Sequence, residues 1–311
     1  MTFESWTGRV DGDSPEHLRW HQAVTEHTPG GEPGACVFVG FASEAGVRRN
    51  KGRPGAAQGP DALRRALSPM ALRTPLRAYD AGTVTVTGDE LEDGQRRLGE
   101  RVSALLDEGA FPVVLGGGHE VAYGTYLGVA GSARRTSGTT VGILNLDAHF
   151  DLRPDPVPSS GTPFRQILES DADVRYAVLG ISQPSNTTVL FDTAERFGVR
   201  YLLDDDCDPE RARAFVDDFL ADIDLLYLTI DLDVLPGGGG GGGGGRPARR
   251  RGRAARAGRG AGRAAASRRA AGGGVSTPAT TASVIRRAST SGPAQLAHWR
   301  SSGHDPHTPR A

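Results

Sequence analysis

The stretch VGILNLDAHFDLR, residues 141–153, is the most informative part of the sequence for both fold and chemistry. Its first half, Val141–Leu146, is a short apolar run with β-branched members, which is typical of a buried strand in a parallel sheet. Asp147, His149 and Asp151 follow at once, where the strand would pass into its loop. Two carboxylates and an imidazole are costly to bury together without a cation, so the stretch predicts a divalent metal site.

Two further strand-like runs also end in potential metal ligands. Phe111–Leu115 runs into GGGHE, which places His119 just beyond three glycines. Ile223–Ile230 is followed directly by Asp231 and Asp233. Because the carboxyl ends of parallel strands meet at one edge of a sheet, we expect all these side chains to converge. Four carboxylates and two imidazoles without a thiolate favour two manganese ions over structural zinc.

Each of the three motifs has a simpler interpretation when it stands alone. DAHFD could be a polar loop, GGGHE a plain or phosphate-binding turn, and DLD a capped strand end. Their agreement at three strand ends favours the metal site, because all three coincidences would otherwise have to occur together.

Strand-like and helix-like segments alternate as far as residue 236. The predicted strands are Ala35–Gly40, Arg77–Ala81, Phe111–Leu115, Val141–Leu146, Arg175–Leu179, Arg200–Leu203 and Ile223–Ile230. The predicted helices are Pro60–Leu67, Leu91–Glu108, one from about His119, Phe164–Glu169, Val189–Phe197 and Pro209–Leu220. This alternation predicts an α/β domain over residues 1–236, with a parallel sheet covered by helices on both faces.

The composition changes abruptly at residue 237. The formal net charge of -1 averages an acidic part and a basic part. Nine consecutive glycines, Gly237–Gly245, open a Gly/Arg/Ala-rich tail that contains 14 arginines and one acidic residue. Such a segment buries too little apolar surface to offset its ordering entropy, so we predict a disordered tail over residues 237–311.

The cysteines and the N-terminus indicate where the chain resides. Cys36 and Cys207 form no CxxC pair, which favours free thiols in a reducing cytosol, although a disulfide stays open. The first residues are polar and acidic, without the basic and apolar regions of a signal peptide. No apolar run approaches the roughly 18 residues of a membrane span. We therefore expect a cytoplasmic chain with no membrane partner.

GGGHE, NLDAHFDLR and TIDLDVLP together resemble the ureohydrolase (arginase) superfamily, and within it the formimidoylglutamases most closely. Supporting stretches are WTGRVDG (Trp6–Gly12), GVRRNKGRPGAAQGPDALR (Gly46–Arg64), SSGTPFRQ (Ser159–Gln166) and GISQPSNT (Gly180–Thr187). The resemblance covers residues 1–236 and implies a three-layer α/β/α sandwich with a parallel sheet of the arginase type. It also implies two Mn²⁺ ions per subunit, bound by His119, Asp147, His149, Asp151, Asp231 and Asp233.

The resemblance implies hydrolysis of N-formimidoyl-L-glutamate to formamide and L-glutamate, a reaction of histidine degradation. Asp151 is the expected catalytic residue, passing a proton from the attacking water to the leaving amine. An acidic substrate needs cationic partners, for which Arg153 and Arg165 are the candidates. Ser160 and Asn186 are expected to support them with hydrogen bonds. The small-molecule substrate is the expected partner, and the sequence is compatible with a homo-oligomer without revealing the oligomeric state.

Other functions stay open at this point. Agmatinase or guanidinobutyrase would use the same metals, but the candidate arginines disfavour them. The resemblance also places Phe164 where arginase has a proton-relay histidine, which disfavours arginase activity. A non-catalytic remnant is the second alternative, with a tail that binds nucleic acid without specificity. The tail has one aromatic residue, Trp299, so we expect no specific nucleic acid partner. Arg48, Arg49 and Arg53 could steer the substrate, although a solvated basic loop is favoured.

The chain departs from the family after Pro236. The family's last strand lies in the middle of the sheet and carries an acidic residue that faces the substrate, and nothing in the tail resembles it. We hypothesise a shifted reading frame near Gly237, because the wrong frame of a GC-rich gene would give this Arg/Ala/Gly/Pro composition. A sheet without its central strand leaves buried backbone groups unpaired, at about 1–3 kcal/mol each. We therefore expect an incomplete domain and an inactive or poorly soluble product.

Overall fold

In the computed structural model, which describes residues 2–74, 76–235 and 281–287, nine strands form one sheet. The strands are β1 (Val24–Glu26), β2 (Cys36–Ala42), β3 (Ala78–Thr85), β4 (Phe111–Gly116), β5 (Val141–Leu146), β6 (Val174–Ile181), β7 (Arg200–Leu203), β8 (Leu225–Asp231) and β9 (Thr281–Arg287). Their order across the sheet is β1-β3-β2-β4-β9-β8-β5-β6-β7. All strand pairs are parallel except those of β9, which runs antiparallel to both β4 and β8.

Helices connect the strands and cover the sheet. They are α1 (Trp20–Ala23), α2 (Ala45–Arg49), α3 (Gly59–Leu67), α4 (Leu91–Asp107), α5 (Val121–Gly131), α6 (Pro163–Ser170), α7 (Thr188–Arg196) and α8 (Pro209–Leu220). The longest, α4, buries Leu91, Leu98 and Val102 at helical spacing. It packs closely on α5 because Gly128 has no side chain, and a Cβ there would lie 2.5 Å from Cβ of Val102. None of the described helices is long and apolar enough to cross a membrane.

Successive residues of the strands point to opposite faces of the sheet, which gives three layers. Val39 of β2 and Ile143 of β5 lie in the largest core cluster, together with residues of α4, α5, α6 and α7. Their neighbours Phe38 and Leu144 lie in two smaller clusters, the first beside α3 and the second with Phe219 of α8. The expected α/β/α sandwich is therefore confirmed.

The elements predicted from hydrophobic pattern are confirmed to within a few residues. Among the strands and α-helices before residue 236, three short ones were missed. β1 and α1 have three and four residues, too few to show a period. α2 lies in a stretch that the sequence predicts to be a loop. It is held from outside, because the carboxylate of Glu120 accepts a hydrogen bond from N–H of Gly46. Such tertiary support leaves no trace in the local pattern.

Part of the tail enters the sheet. Thr281–Arg287, for which the sequence predicts disorder, form β9 between β4 and β8. The prediction is corrected for these seven residues, and the rest of the tail lies outside the described residues. Without β9, the facing edges of β4 and β8 would leave their backbone N–H and C=O groups unpaired. We call the position between β4 and β8 the central slot. The segment TASVIRR has three β-branched residues, which favour a strand there. The slot thus holds an antiparallel strand where the resemblance implies a parallel one.

Candidate metal centre

The carboxyl ends of three strands bring the predicted ligands to one edge of the sheet. β5 and β8 are neighbours, and Leu146 pairs with Ile230. Asp147 and Asp231 directly follow these paired residues, so the register of the two strands places the two carboxylates together. His119 follows β4 by three residues. The sheet therefore positions the first ligands through its backbone pairing alone.

The glycines of GGGHE serve close packing. A Cβ on Gly117 would lie 2.0 Å from the carbonyl oxygen of Ser43. One on Gly118 would lie 2.3 Å from a methyl carbon of Val47. The segment after β2 thus packs directly on this turn, which brings His119 to the sheet edge.

One group of ligands surrounds the imidazole of His119. Its Nδ1 lies 3.0 Å from Oδ2 of Asp147, 2.8 Å from Oδ2 of Asp151 and 3.6 Å from Oδ2 of Asp231. Nε2 lies 3.2 Å from the hydroxyl oxygen of Thr229, which fixes the ring so that Nδ1 points to the carboxylates. Nδ1 is buried and makes no well-formed hydrogen bond in the described part of the chain. An imidazole nitrogen held among carboxylates suits a shared cation.

A second group lies beside the first. Nδ1 of His149 is 2.9 Å from Oδ2 of Asp233 and 3.6 Å from Oδ1 of Asp147. One candidate metal group comprises His119, Asp147 and Asp151, and the other comprises Asp147, His149 and Asp233. Asp147 belongs to both groups, as a carboxylate shared by two cations would. The residues therefore fit a pair of divalent ions.

The electrostatics of the cluster also favour cations. Burial raises the pKa of Asp231 well above its usual value, and the charges of Asp233 and Asp147 add to the shift. Burial and the charge of Asp147 likewise raise the pKa of Asp151. Burial disfavours the charged imidazole of His149, but its carboxylate partners outweigh this and raise its pKa to about 11. Without metal the cluster retains protons, and metal binding would release them.

The loop after Asp147 is strained and held in place by Asn186. Asp151 has a φ of 50°, in the left-handed region that costs a non-glycine residue about 1–3 kcal/mol. The side-chain amide of Asn186 donates to the carbonyl oxygens of Ala148 (2.8 Å) and Ser182 (2.9 Å). Its oxygen accepts from N–H of Phe150 at 3.1 Å. These bonds fix the backbone that presents Asp151.

A stacked aromatic pair supports the ligands from below. Phe164 is fully buried, with its ring edge-on to His119 at 5.2 Å and stacked on Tyr176 at 4.3 Å. The hydroxyl of Tyr176 accepts from the amide of Asn145 at 3.0 Å, and that amide also donates to Oδ2 of Asp147. Phe164 therefore orients a ligand and is not exposed to the space above the cluster.

A cavity of about 410 Å³ opens onto the cluster. It is lined by His119, Asp147, His149, Asp151, Asp231 and Asp233. The structure thus brings all six predicted ligands to a single space. A small molecule in that space would touch the metal-binding side chains directly.

The predicted substrate-binding residues divide into two pairs. Arg153 and Ser160 line the cavity. Arg165 and Asn186 are not among the described residues that line it. Arg165 pairs with Glu169 one turn later on α6, at 2.7 Å. The amide of Asn186 is fully used by the backbone that presents Asp151. Sequence alone could not separate the two pairs, because all four residues follow strands that end at the same edge of the sheet.

Sequence reasoning missed several residues around the cavity. Asn50, Arg53 and Ser185 line it. Asn50 and Ser185 lie in stretches that support the family resemblance but were given no role, and for Arg53 a solvated loop was favoured over substrate steering. Glu120 is fully buried beneath it and accepts a hydrogen bond from the hydroxyl of Ser43 at 2.8 Å. The position of Glu120 directly after His119, at the end of a strand, could have indicated that Glu120 lies near the site. For the other three, the local sequence does not show which side chains face the cavity.

The family model described as the arginase family matches residues 35–244. The chain belongs to the arginase family. The match ends near the glycine run, so most of the Arg-rich tail lies outside it, as the resemblance over residues 1–236 predicted.

Individual members of the arginase family are similar over the same region. Formimidoylglutamase of Nocardia farcinica is 75% identical over 232 residues, which cover 74% of this chain and 75% of that protein. The crystal structure of formimidoylglutamase from Bacillus subtilis, 21% identical, covers 71% of this chain and 72% of its own with a TM-score of 0.62, which shows the same fold. The crystal structure of Trypanosoma cruzi formiminoglutamase with Mn2+2 is 29% identical and covers 60% of this chain and 66% of its own, with a TM-score of 0.53.

Proposed function

We propose that this chain hydrolyses N-formimidoyl-L-glutamate to formamide and L-glutamate with two Mn²⁺ ions bound, as a step of histidine degradation. The observation that carries the proposal is that Arg153 lines the same cavity as the complete Asp/His cluster. A glutamate-based substrate brings carboxylates, for which arginine is the natural partner. The 75% identical relative bears the name of this activity.

The two ligand groups would hold the metal ions. His119 and Asp151 belong to one group and His149 and Asp233 to the other, with Asp147 shared. When bound, a manganese pair supplies a water of lowered pKa and polarises the electrophilic carbon. Oxygen and imidazole ligands without thiolate suit manganese, and a related structure is described with this metal.

Asp151 is the proposed proton carrier. Its carboxylate lies 2.8 Å from Nδ1 of His119 and is 14% exposed, which is enough to reach a molecule in the cavity. We assign it the proton of the attacking water, which it passes to the leaving nitrogen as the bond from that nitrogen to the formimidoyl carbon breaks. Formamide and the free amine of glutamate result. The strained backbone at Asp151 fixes the carboxylate for this role.

Arg153 and Ser160 are the proposed substrate contacts. Nε of Arg153 donates to Asp155 at 2.8 Å, which leaves its terminal N–H groups for a substrate carboxylate. The hydroxyl oxygen of Ser160 accepts from the amide of Asn50 at 3.1 Å, so its own O–H is directed to another acceptor. Both contacts favour an anionic substrate over agmatine.

Turnover by the intact chain is expected to be measurable but lower than that of its relatives. The expected inactive or insoluble product depended on an empty central slot, and β9 fills that slot. The resemblance also places an acidic residue on the last strand, facing the substrate. Among the described residues that line the cavity, the acidic ones are Asp147, Asp151, Asp231 and Asp233, all of them assigned to metal.

A substrate competition assay tests the proposal. The Mn²⁺-loaded chain should release formamide from N-formimidoyl-L-glutamate and favour it over agmatine and guanidinobutyrate. The variant Asp151→Asn should retain both metals, measured by elemental analysis, and lose turnover. Faster turnover of agmatine or guanidinobutyrate would reassign the substrate, and full turnover by Asp151→Asn with both metals bound would remove Asp151 from its role.

We also propose a cytoplasmic location and a homo-oligomeric state. The free thiols of Cys36 and Cys207 support a reducing compartment. Fractionation of cells would test the location, and sedimentation of the purified chain would test the assembly.

A further inference from the structure

The cavity above the Asp/His cluster is lined by a second arginine, Arg53. The two arginines of the preceding helix α2 have acidic partners. Arg48 pairs with Glu44 at 3.0 Å, and Arg49 pairs with two carboxylates at the start of α4. Arg53 is exposed and has no ion pair or side-chain hydrogen bond in the part of the chain that the structure describes. Its guanidinium is therefore available for a ligand.

The loop that carries Arg53 is fixed in place. Oε1 of Glu120 accepts from N–H of Gly46 at 3.0 Å, before the loop. N–H of Gly52 donates to the carbonyl oxygen of Val47 at 2.8 Å, and N–H of Gly55 donates to the carboxylate of Glu44 at 2.6 Å. A backbone anchored on both sides of Arg53 lowers the entropy cost of holding a ligand there.

Arg153 belongs to a second loop at the same cavity, and the two loops are joined. The amide of Asn50 donates to the hydroxyl of Ser160 across them. N–H of Arg153 donates to the carbonyl oxygen of Gly161 at 2.9 Å. A Cβ on Gly161 would lie 2.4 Å from Cδ of Arg153, so glycine is what leaves room for the arginine side chain. The anchored backbone of both loops thus places Arg53 and Arg153 at one cavity.

We propose that Arg53 and Arg153 form a two-arginine clamp, in which each binds one carboxylate of a dicarboxylic amidine substrate. The clamp rests on the proposed function and deepens it, because it states why a substrate with two carboxylates is selected. An arginine without a protein partner at a ligand cavity gains a charged hydrogen bond when a carboxylate arrives. Arg53 is therefore a specificity-determining residue, a role that a solvated basic loop would not give it.

The test compares Arg53→Gln, Arg153→Gln and the matched control Arg48→Gln on three substrates. These are N-formimidoyl-L-glutamate, N-formimidoyl-L-glutamine, which lacks the side-chain carboxylate, and N-formimidoyl-4-aminobutyrate, which lacks the α-carboxylate. For the dicarboxylate, Arg53→Gln and Arg153→Gln should each lower kcat/KM about 10- to 100-fold, mainly through KM. Each variant should have little effect on turnover of the analogue that lacks the carboxylate which the substituted arginine binds. That analogue should be a different one for Arg53→Gln and for Arg153→Gln. Arg48→Gln should match the wild type.

Binding of glutarate, a dicarboxylate with no bond to hydrolyse, separates this proposal from the proposed function. Calorimetry should show glutarate binding that weakens in Arg53→Gln and is restored in part by Arg53→Lys. If the wild type does not release formamide but glutarate binding still depends on Arg53, the function is wrong and the clamp stands. If the wild type turns over normally and Arg53→Gln changes neither glutarate binding nor the ranking of the substrates, the clamp is wrong and the function stands.

Discussion

The ligand edge of the sheet and its central slot, which β9 occupies, differ in how strictly the sequence specifies them. At the ligand edge, β4, β5 and β8 present side chains whose identity and register are both needed, since Asp147 and Asp231 must follow the paired residues Leu146 and Ile230. In the slot, β9 pairs through its backbone with β4 and β8, and it runs opposite to them. One region is specified residue by residue, and the other by backbone pairing.

The difference shows what each level of structure requires. A sheet with an empty central position leaves rows of buried N–H and C=O groups, and any strand of either direction can satisfy them. A metal site does not tolerate replacement of its strands in this way. A shift of one residue along the strand would point the ligand side chain to the other face of the sheet. The slot is therefore tolerant and the ligand edge is not.

The largest expected effect is in Asp147→Asn, which should lose turnover while it keeps its folding stability. Asp147 is shared by both ligand groups, so the substitution weakens both metals. Turnover should fall by about a thousandfold or more, because the metals contribute several kcal/mol to the reaction. The backbone bond from N–H of residue 147 to Leu179 is kept. The unfolding midpoint of the metal-free chain should therefore stay within a few degrees of the wild type.

Metal content by elemental analysis, formamide release and thermal unfolding measure this prediction together. Asp217→Asn, on the exposed side of α8, is the matched control and should retain full activity. Should Asp147→Asn bind two Mn²⁺ ions and turn over normally, the shared-ligand assignment would be wrong.

The second largest expected effect is a loss of folding stability in Val284→Pro, a substitution in the strand that occupies the central slot. Residue 284 pairs with Val113 on one side and Leu228 on the other, so its N–H lies against a neighbouring strand whichever way it points. Proline removes that donor and leaves an acceptor unpaired, at about 1–3 kcal/mol or more. Denaturant unfolding should show a lower midpoint, with Val284→Thr as the control. An unchanged midpoint would mean that β9 does not support the folded sheet.

The same contrast explains how much the sequence could predict. Strands β4, β5 and β8 have mainly apolar runs that end in ligand-type residues, so both the fold and the convergence of the ligand set follow from the chain. The strand in the slot was missed because its seven residues lie within a low-complexity tail and gain their structure only from distant edges. Arg53 was passed over and Arg165 favoured for a related reason. Which arginine keeps a protein partner depends on contacts such as that of Arg165 with Glu169, which only the folded chain decides.

The smallest expected effect lies between the two regions, in Tyr176→Phe. Tyr176 belongs to β6, and its hydroxyl accepts from Asn145 and donates to the carbonyl oxygen of Phe150 at 3.1 Å. Phenylalanine keeps the stack on Phe164 but leaves a buried amide hydrogen and a carbonyl oxygen each one partner short, at about 1 kcal/mol of stability for each group. Because Asn145 also holds Asp147, kcat should fall less than about tenfold while KM stays constant. Steady-state kinetics beside denaturant unfolding would measure both, and a change in KM alone would place Tyr176 at the substrate and not behind the metal ligands.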